Sequence, residues 1–364
     1  MVAAIAVFTF SAKAQTPEQA LAFEKQGNFA EATEVWKAVV QRNPQDAAAF
    51  AQLGVTLSKQ KRYQEAISAY RSAIALNPQL PGIELNLGLA EFKQSHFPAA
   101  IEAFKSALKA DPASTQAQTL LGMSYYGVRQ YASAIEYLEP IAKADPSNLE
   151  LHEILAECCF SVKKPCALSE YRVILEQNPN SAQAHILMGE ALDGVGKTRE
   201  AVLEFDQAEK ASPNEPRVHF GLGYLHWKLR EYEDARRELT LAVAADPEDG
   251  QALSYLGDVA LKNNQAETAL LLLTRAVKIS KQIRIAYLDM GSIYLRQGKY
   301  QEAQSALQRA VALDPAREDA HYQLGRVYQI LGNATAADRE FAAVEQLYKK
   351  DDDKVAKAMS QRMH

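Results

Sequence analysis

The sequence predicts an all-α fold, a right-handed α-solenoid of about ten stacked helical hairpins, and three observations carry that expectation. The first is a register that returns every 34 residues: Leu53-Gly54, Ala66, Pro78; then Leu87-Gly88, Ala100, Pro112; then Leu121-Gly122, Ala134, Pro146. The second is a pair of columns of small side chains, and the third a column of proline. A repeat of that period is one helix–turn–helix unit that buries its apolar face only by stacking on a neighbour.

Each element follows from a column, counted with the Leu-Gly pair at positions 7 and 8. Position 8 reads Gly54, Gly88, Gly122, Ala156, Gly189, Gly223, Gly257, Gly291 and Gly325. Position 20 is alanine throughout, from Ala32 and Ala66 to Ala303 and Ala337. Helices approach most closely where neither carries a side chain, so these columns mark the crossing of helix A on helix B. Alanine at position 27 (Ala73, Ala107, Ala208, Ala242, Ala276, Ala310) does the same between helix B and the next repeat. Large residues at position 24 (Trp36, Tyr70, Phe104, Tyr171, Phe205, Phe341) are expected beside the crossings. Proline at position 32 stops helix B and reverses the chain. Only Lys281 breaks that column, and there helix B is expected to run on or to turn more softly. Helices of about 12–14 residues are marginal alone in water, so no repeat should fold by itself.

These residues are those of the tetratricopeptide repeat (TPR), and the chain resembles that family over nearly its whole length. Ten copies fit: 13–46, 47–80, 81–114, 115–148, 149–181, 182–215, 216–249, 250–283, 284–317 and 318–348. Repeat 1 lacks the Leu-Gly pair. Repeat 5 is one residue short between Ala156 and Ala167, has Pro165 in its turn and holds all three cysteines. Residues 349–364 are polar and read as a capping helix or a tail. At the other end, Val2 to Phe10 is apolar, and Ala12-Lys13-Ala14 before Gln15 has the small-x-small form of a signal-peptidase site, although no basic stretch precedes it. We expect residues 1–14 to be a signal peptide and the mature chain to be exported, periplasmic or secreted; without a real signal the location is cytoplasmic.

Composition narrows the function. A net charge of −5 and a pI near 5.9 give no basic face for nucleic acid or anionic lipid. No apolar stretch reaches the roughly 20 residues that cross a bilayer. Cys158, Cys159 and Cys166 are expected to be small apolar filler, with a Cys159–Cys166 bridge as the alternative in an oxidising compartment. The stretch from Ala191 to Thr198, with Gly196-Lys197-Thr198, satisfies a relaxed phosphate-loop pattern but lies across an A–B turn with no strand before it. Histidines recur at position 4 (His152, His185, His219, His321); an intervening helix separates successive ones, too far for a shared zinc, so they are read as packing side chains. No catalytic constellation is present, and the chain is expected to be non-catalytic, without cofactor or metal.

Binding remains. The resemblance implies that helix A positions 2, 5, 9 and 12 line an inner, concave face. The candidate partner-binding residues there are Leu85, Leu89, Phe92, Met123, Tyr126, Glu153, Glu157, Phe160, Ile186, Glu190, Asp193, Phe220, Tyr224 and Trp227. Position 12 also includes Leu261. A ribbon of exposed aromatics marks an interaction surface. Glu150, Glu153, Glu157, Glu190 and Asp193 form an acidic middle that should favour a basic partner. The lysine–asparagine–lysine trio with which some relatives clamp a C-terminal carboxylate is missing. The expected function is a scaffold holding an apolar and basic segment of another protein in its groove. The alternative is a structural role in envelope assembly or polysaccharide export, through the convex face or self-association as a homo-oligomer.

Overall fold

The computed structural model describes residues 15–361, with side chains through residue 350. The signal-peptide expectation for 1–14 lies outside the described residues. The chain divides into two compact units, 1–174 and 175–364, and among the described residues both are all-helical repeat solenoids without strands. The first holds α1 (Pro17–Lys25), α2 (Phe29–Arg42), α3 (Ala47–Lys59), α4 (Tyr63–Leu76), α5 (Ile83–Lys93), α6 (Phe97–Ala110), α7 (Thr115–Gly127), α8 (Tyr131–Ala144), α9 (Leu149–Ser161) and most of α10 (Cys166–Gln177). The second holds α11 (Ala182–Gly194), α12 (Thr198–Ala211), α13 (Pro216–Lys228), α14 (Tyr232–Ala245), α15 (Gly250–Lys262), α16 (Ala266–Ile279), α17 (Arg284–Arg296), α18 (Tyr300–Leu313), α19 (Glu318–Ile330) and α20 (Ala334–Gln361). Odd-numbered helices are the A helices. Within a unit, B helices pack on their own A helix and on the next one, as α6 does on α5 and α7 and α14 on α13 and α15, and A helices lie side by side, as α5 does with α7 and α13 with α15.

Two kinds of turn alternate. Most A helices start on side-chain caps: Asp46, Ser114, Asn148, Ser181 and Asp249 each accept a backbone N–H two or three residues on. Most B helices have no such cap, α20 with Asn333 accepting from the Ala336 N–H being an exception; they follow a turn that is the same in all ten hairpins. Its pivot is left-handed, at Gly27, Lys61, Ser95, Arg129, Lys163, Gly196, Arg230, Asn264, Gly298 and Gly332, with φ from 55° to 81°. The next N–H reaches back five residues to close the turn, as Arg62 does to the Leu57 carbonyl at 3.0 Å and Lys299 to that of Tyr294 at 2.9 Å. This is the Schellman arrangement, which satisfies carbonyls at the helix end.

The break at Lys281 changes nothing in helix length. α16 ends at Ile279 like its fellows, and Ser280, extended at φ −136°, donates its N–H to the Ala276 carbonyl. The residue before the expected proline leaves the helix in the same way elsewhere, at Asn77, Asp246 and Asp314. That extended residue, not the ring, sets the stop. Toward the C-terminus, α20 runs on through the polar stretch to Gln361.

The crossing is built differently from the expectation of two bare faces. The side chain at position 24 lies on the glycine at position 8, not beside it. A Cβ placed on Gly54 would come within 2.5 Å of the Tyr70 ring, on Gly88 within 2.6 Å of Phe104, and on Gly291 within 2.5 Å of Leu307. The alanines at position 20 are almost wholly buried.

The position-4 histidines are buried as expected, but each is also paired. Nδ1 of His152, His185, His219 and His321 lies 2.5–2.9 Å from a carboxylate of Glu170, Glu204, Glu238 and Glu340 on the B helix of the same hairpin. In the last three, Nε2–H donates to the carbonyl of Pro179, Pro213 or Pro315. A carbonyl cannot donate, so one proton is held between ring and carboxyl. In those three both nitrogens are engaged, including His219 where Glu209 and Glu238 come close, whereas Nε2 of His152 is buried without a partner.

Cys159 and Cys166 form a disulfide, which overturns the reading of all three cysteines as filler. The missing residue of repeat 5 explains the place: α10 starts late and has 12 residues against the usual 14, and the bridge ties it to α9. Cys158 alone is a free, buried thiol, and burial pushes its pKa up to about 12.

Candidate protein-interaction face

In the first unit the face is a row of half-buried side chains. α5 supplies Leu85, Leu89 and Phe92, and α7 supplies Met123 and Tyr126. α9 carries Glu153, Glu157 and Phe160, all exposed. The aromatics fold back on the start of the following B helix: Phe92 meets Phe97 edge-on at 5.6 Å, and Tyr126 leans on Tyr131 at 6.2 Å. Tyr126 donates its hydroxyl to Glu157 at 2.5 Å. That carboxylate, with burial adding, pushes the phenol up to about 12. Glu157 is thus already a hydrogen-bond acceptor within the protein.

In the second unit the expected residues divide. Ile186 is a correction: at 2 % exposure it is core and meets no partner. Leu261 is likewise buried. Ile186 sits where α11 packs on its neighbours, so the helical spacing that placed it on the inner stripe points it inward. Glu190 and Asp193 are also not the free acids the sequence suggests. Arg217 pairs with Glu190 at 3.1 Å, and Lys228 with Asp193 at 2.6 Å, while Thr198 donates to Asp193. The acidic middle is therefore largely neutralised in this unit. Thr198 and Lys197, which also pairs with Glu200, are committed to the A–B turn after α11, and no phosphate cradle forms there.

Phe220, Tyr224 and Trp227 come together on α13 around a residue the sequence reading missed, Tyr255 of α15. Ring centroids lie 6.1 Å apart for Phe220–Tyr255, 5.3 Å for Tyr224–Tyr255 and 4.8 Å for Trp227–Tyr255, and Tyr224 stacks on Trp227 at 6.0 Å. These are the offset and edge-on geometries aromatic pairs prefer. All four rings are half-buried. Burial first, then Tyr224 and Asp258, pushes the Tyr255 phenol up to about 12, so it keeps its proton. Trp227 donates its indole N–H to Asp258 at 2.5 Å. Two hollows flank the cluster. One of about 370 Å³ is lined by Glu190, Arg217, Phe220, Gly221 and Tyr224; the other, about 470 Å³, by Trp227, Tyr255, Asp258, Leu288, Asp289 and Arg284 among others. Two signals in the sequence point here: tyrosine at position 6 of repeat 8, and aspartates inside the otherwise apolar helices α15 and α17.

A stack of helical hairpins presenting aromatic, partly open A-helix faces is a protein-interaction scaffold. The chain belongs to the tetratricopeptide repeat family. Models described as tetratricopeptide repeat match residues 18–81, 186–241 and 220–282, and 57–124, and a TPR repeat model matches 291–332, together more than half of the chain. A model of anaphase-promoting complex, cyclosome, subunit 3 matches 93–165. No curated protein matches significantly. Among solved structures, YrrB, a TPR protein with an unusual peptide-binding site, is 24% identical over 49% of this chain and 91% of its own, with a TM-score of 0.39. MamA is 22% identical over 46% of this chain and 97% of its own, TM-score 0.39. Naa15/Naa10 bound to HypK-THB is 15% identical over 91% of this chain and 62% of that one, TM-score 0.50, a likeness of fold alone.

Proposed function

We propose that the A-helix face of the second unit holds an extended or helical segment of a partner protein. The observation that carries this is the four-ring cluster of Phe220, Tyr224, Trp227 and Tyr255, left half-open between two hollows. Rigid aromatics beside concave pockets are the usual anchors of a protein interface. Phe92, Tyr126 and Phe160 offer a second such row on the first unit. Crosslinking in the native cell followed by pull-down tests the idea: Tyr224→Ala with Trp227→Ala should lose the captured partner while circular dichroism stays unchanged. Equal capture by the double variant would sink it.

We also infer an oxidising location, supported by the Cys159–Cys166 disulfide. Cell fractionation with N-terminal sequencing tests this, and a mature chain starting near Gln15 is the expected result. A second reading, self-association through the B helices, is favoured by Leu203, Leu241 and Leu271, which expose 62%, 44% and 73% of their surface. It requires an oligomer whose mass in light scattering falls on dilution; a monomer at all concentrations removes it.

A further inference from the structure

We propose that the hollow beside Trp227 is a subsite for the cationic head of a basic side chain from the bound segment. This rests on the reading of the second unit's A-helix face as a binding face.

Asp258 of α15 and Asp289 of α17, on neighbouring A helices, are the most deeply buried polar side chains of the lining. Asp258 is provided for, since it accepts the indole N–H of Trp227 at 2.5 Å and has Lys262 at 3.5 Å. Asp289 is not. Its Oδ2 is fully buried and has no hydrogen-bond partner. Buried polar atoms are nearly always satisfied, and an orphan in a native protein asks for the group that completes it. A carboxyl beside a second carboxylate asks for a cation. Burial first, and then Asp258, through its charge and a side-chain hydrogen bond between the two carboxyls, hold the Asp289 carboxyl well above the usual carboxylate range and favour its protonated form while the hollow is empty. An arriving cation displaces that proton.

The surrounding charges agree with a single added positive charge. Asp258 and Lys262 face Asp289 from α15, and Asp319 from α19. On its own helix, Arg284 is paired with Asp319 through a terminal nitrogen while its Nε is buried without a partner; Arg317 also approaches Asp319, at 3.9 Å, and Asp314 completes the charged lining. The walls decide what kind of cation fits. Trp227, Tyr255, Ile285 and Leu288 offer aromatic and aliphatic surface for a methylene stem, with the carboxyls at its end. About 470 Å³ is far more than a bare metal ion fills. Among the described residues, the one cluster with three metal-ligand atoms in reach of one another is Glu209, His219 and Glu238, away from this hollow.

The test uses the full-length protein and its tryptophan fluorescence, since Trp227 forms the wall and Trp36, the second tryptophan, is buried elsewhere. n-Butylammonium chloride and n-butylguanidinium chloride are titrated at constant ionic strength, with magnesium chloride in parallel. A saturable change is expected with one of the organic cations, with Kd on the order of 1–10 mM. Which cation binds tells a lysine from an arginine head. Asp289→Asn should weaken it at least about tenfold, equivalent to one unit of titration, and Trp227→Phe should remove the signal. Should Asp289→Asn misfold, the parent protein still answers. Its affinity must rise as pH is raised through the folded titration of Asp289, with proton release seen by calorimetry in two buffers. No saturable response, an unchanged response in Asp289→Asn, or a response to magnesium alone overturns the proposal. If butylammonium binds but Tyr224→Ala/Trp227→Ala leaves partner capture intact, the hollow is a cation site but not the partner's. If capture is lost while no cation binds, the face stands and the subsite falls.

Discussion

Replacing Gly221 by alanine adds a single methyl group where the protein has left no space for it. A Cβ at that position would have three ring carbons of Phe205 within 2.7 Å. In most cores a side chain so crowded would swing away. Phe205 cannot, because its opposite edge rests on Gly189, where a Cβ would meet the ring at 2.6 Å. The ring belongs to α12 and is gripped between a glycine of its own hairpin and a glycine of the next. Overpacking of this kind costs about 1–3 kcal/mol, and trapping puts this site at the upper end. Alanine returns up to about 1 kcal/mol in helix propensity. The net expectation is a loss of about 1–2 kcal/mol. Phe205→Leu, which costs about 1–2 kcal/mol alone by cavity formation, should make Gly221→Ala nearly harmless, so that the double-mutant cycle shows a coupling of about 1–2 kcal/mol. A repeat array need not unfold in one step. Urea titration should therefore be paired with hydrogen exchange of the α11–α14 amides, which are expected to lose protection first. A Gly221→Ala protein as stable as its parent, or additive effects in the double variant, would refute the idea that these two glycines clamp the ring.

Four further outcomes are expected. Lys61→Gly, Arg129→Gly and Arg230→Gly, each at a left-handed pivot, should each raise stability by about 1 kcal/mol in urea titration; no gain at any of the three would mean the turn carries no strain. His219→Phe alone should cost about 1–3 kcal/mol by taking the partner of Glu238 Oε2, Arg237 still holding Oε1, and adding Glu238→Ala should recover most of it, because Phe50 and Ala69 already occupy the same two positions in repeat 2. Reduction should raise the thiols titrated in denaturant from one to three, and loosen α9 and α10 by up to about 2–3 kcal/mol, the chain-entropy value for so short a loop; hydrogen exchange should show the second unit unchanged. Asp289 has a folded pKa above its unfolded value of about 3.9. Its native form therefore holds a proton that the unfolded chain releases, and stability falls as pH rises from there through the folded pKa. Asp289→Asn should flatten that fall and leave the protein more stable at neutral pH in thermal melts.

The sequence carried the repeat because its signal is steric and recurs along the chain: glycine at position 8 in eight of the ten hairpins, alanine at 20 in all, a large residue at 24. What it could not convey was how those columns fit. That Tyr70 lies on Gly54, and Phe205 between Gly189 and Gly221, depends on side-chain directions that spacing alone leaves open. The His–Glu pairs were legible and went unread. Every repeat with histidine at position 4 has glutamate on helix B, and no other repeat has glutamate there. The binding stripe was legible as a helix face but not residue by residue. Ile186 and Phe220 share position 5, yet packing buries one and leaves the other half-open. The partners of Glu190 and Asp193 lie a whole repeat away, on α13, where one-dimensional reading sees only scattered basic residues. Proline at position 32 looked causal because it is nearly invariant here; the Ser280 stop shows that it accompanies the helix end without being required for it.

The seat that each position-8 glycine makes for a ring or leucine of its own hairpin has an evolutionary corollary. Lock and key travel together inside one module, so duplicating or deleting a hairpin carries a finished joint with it and asks only that the outer surfaces of strangers agree. Phe205, seated on Gly189 of its own hairpin and wedged also against Gly221 of the next, binds two modules into one inheritance. Repeats 6 and 7, which frame the aromatic cluster, are therefore expected to be gained or lost as a pair.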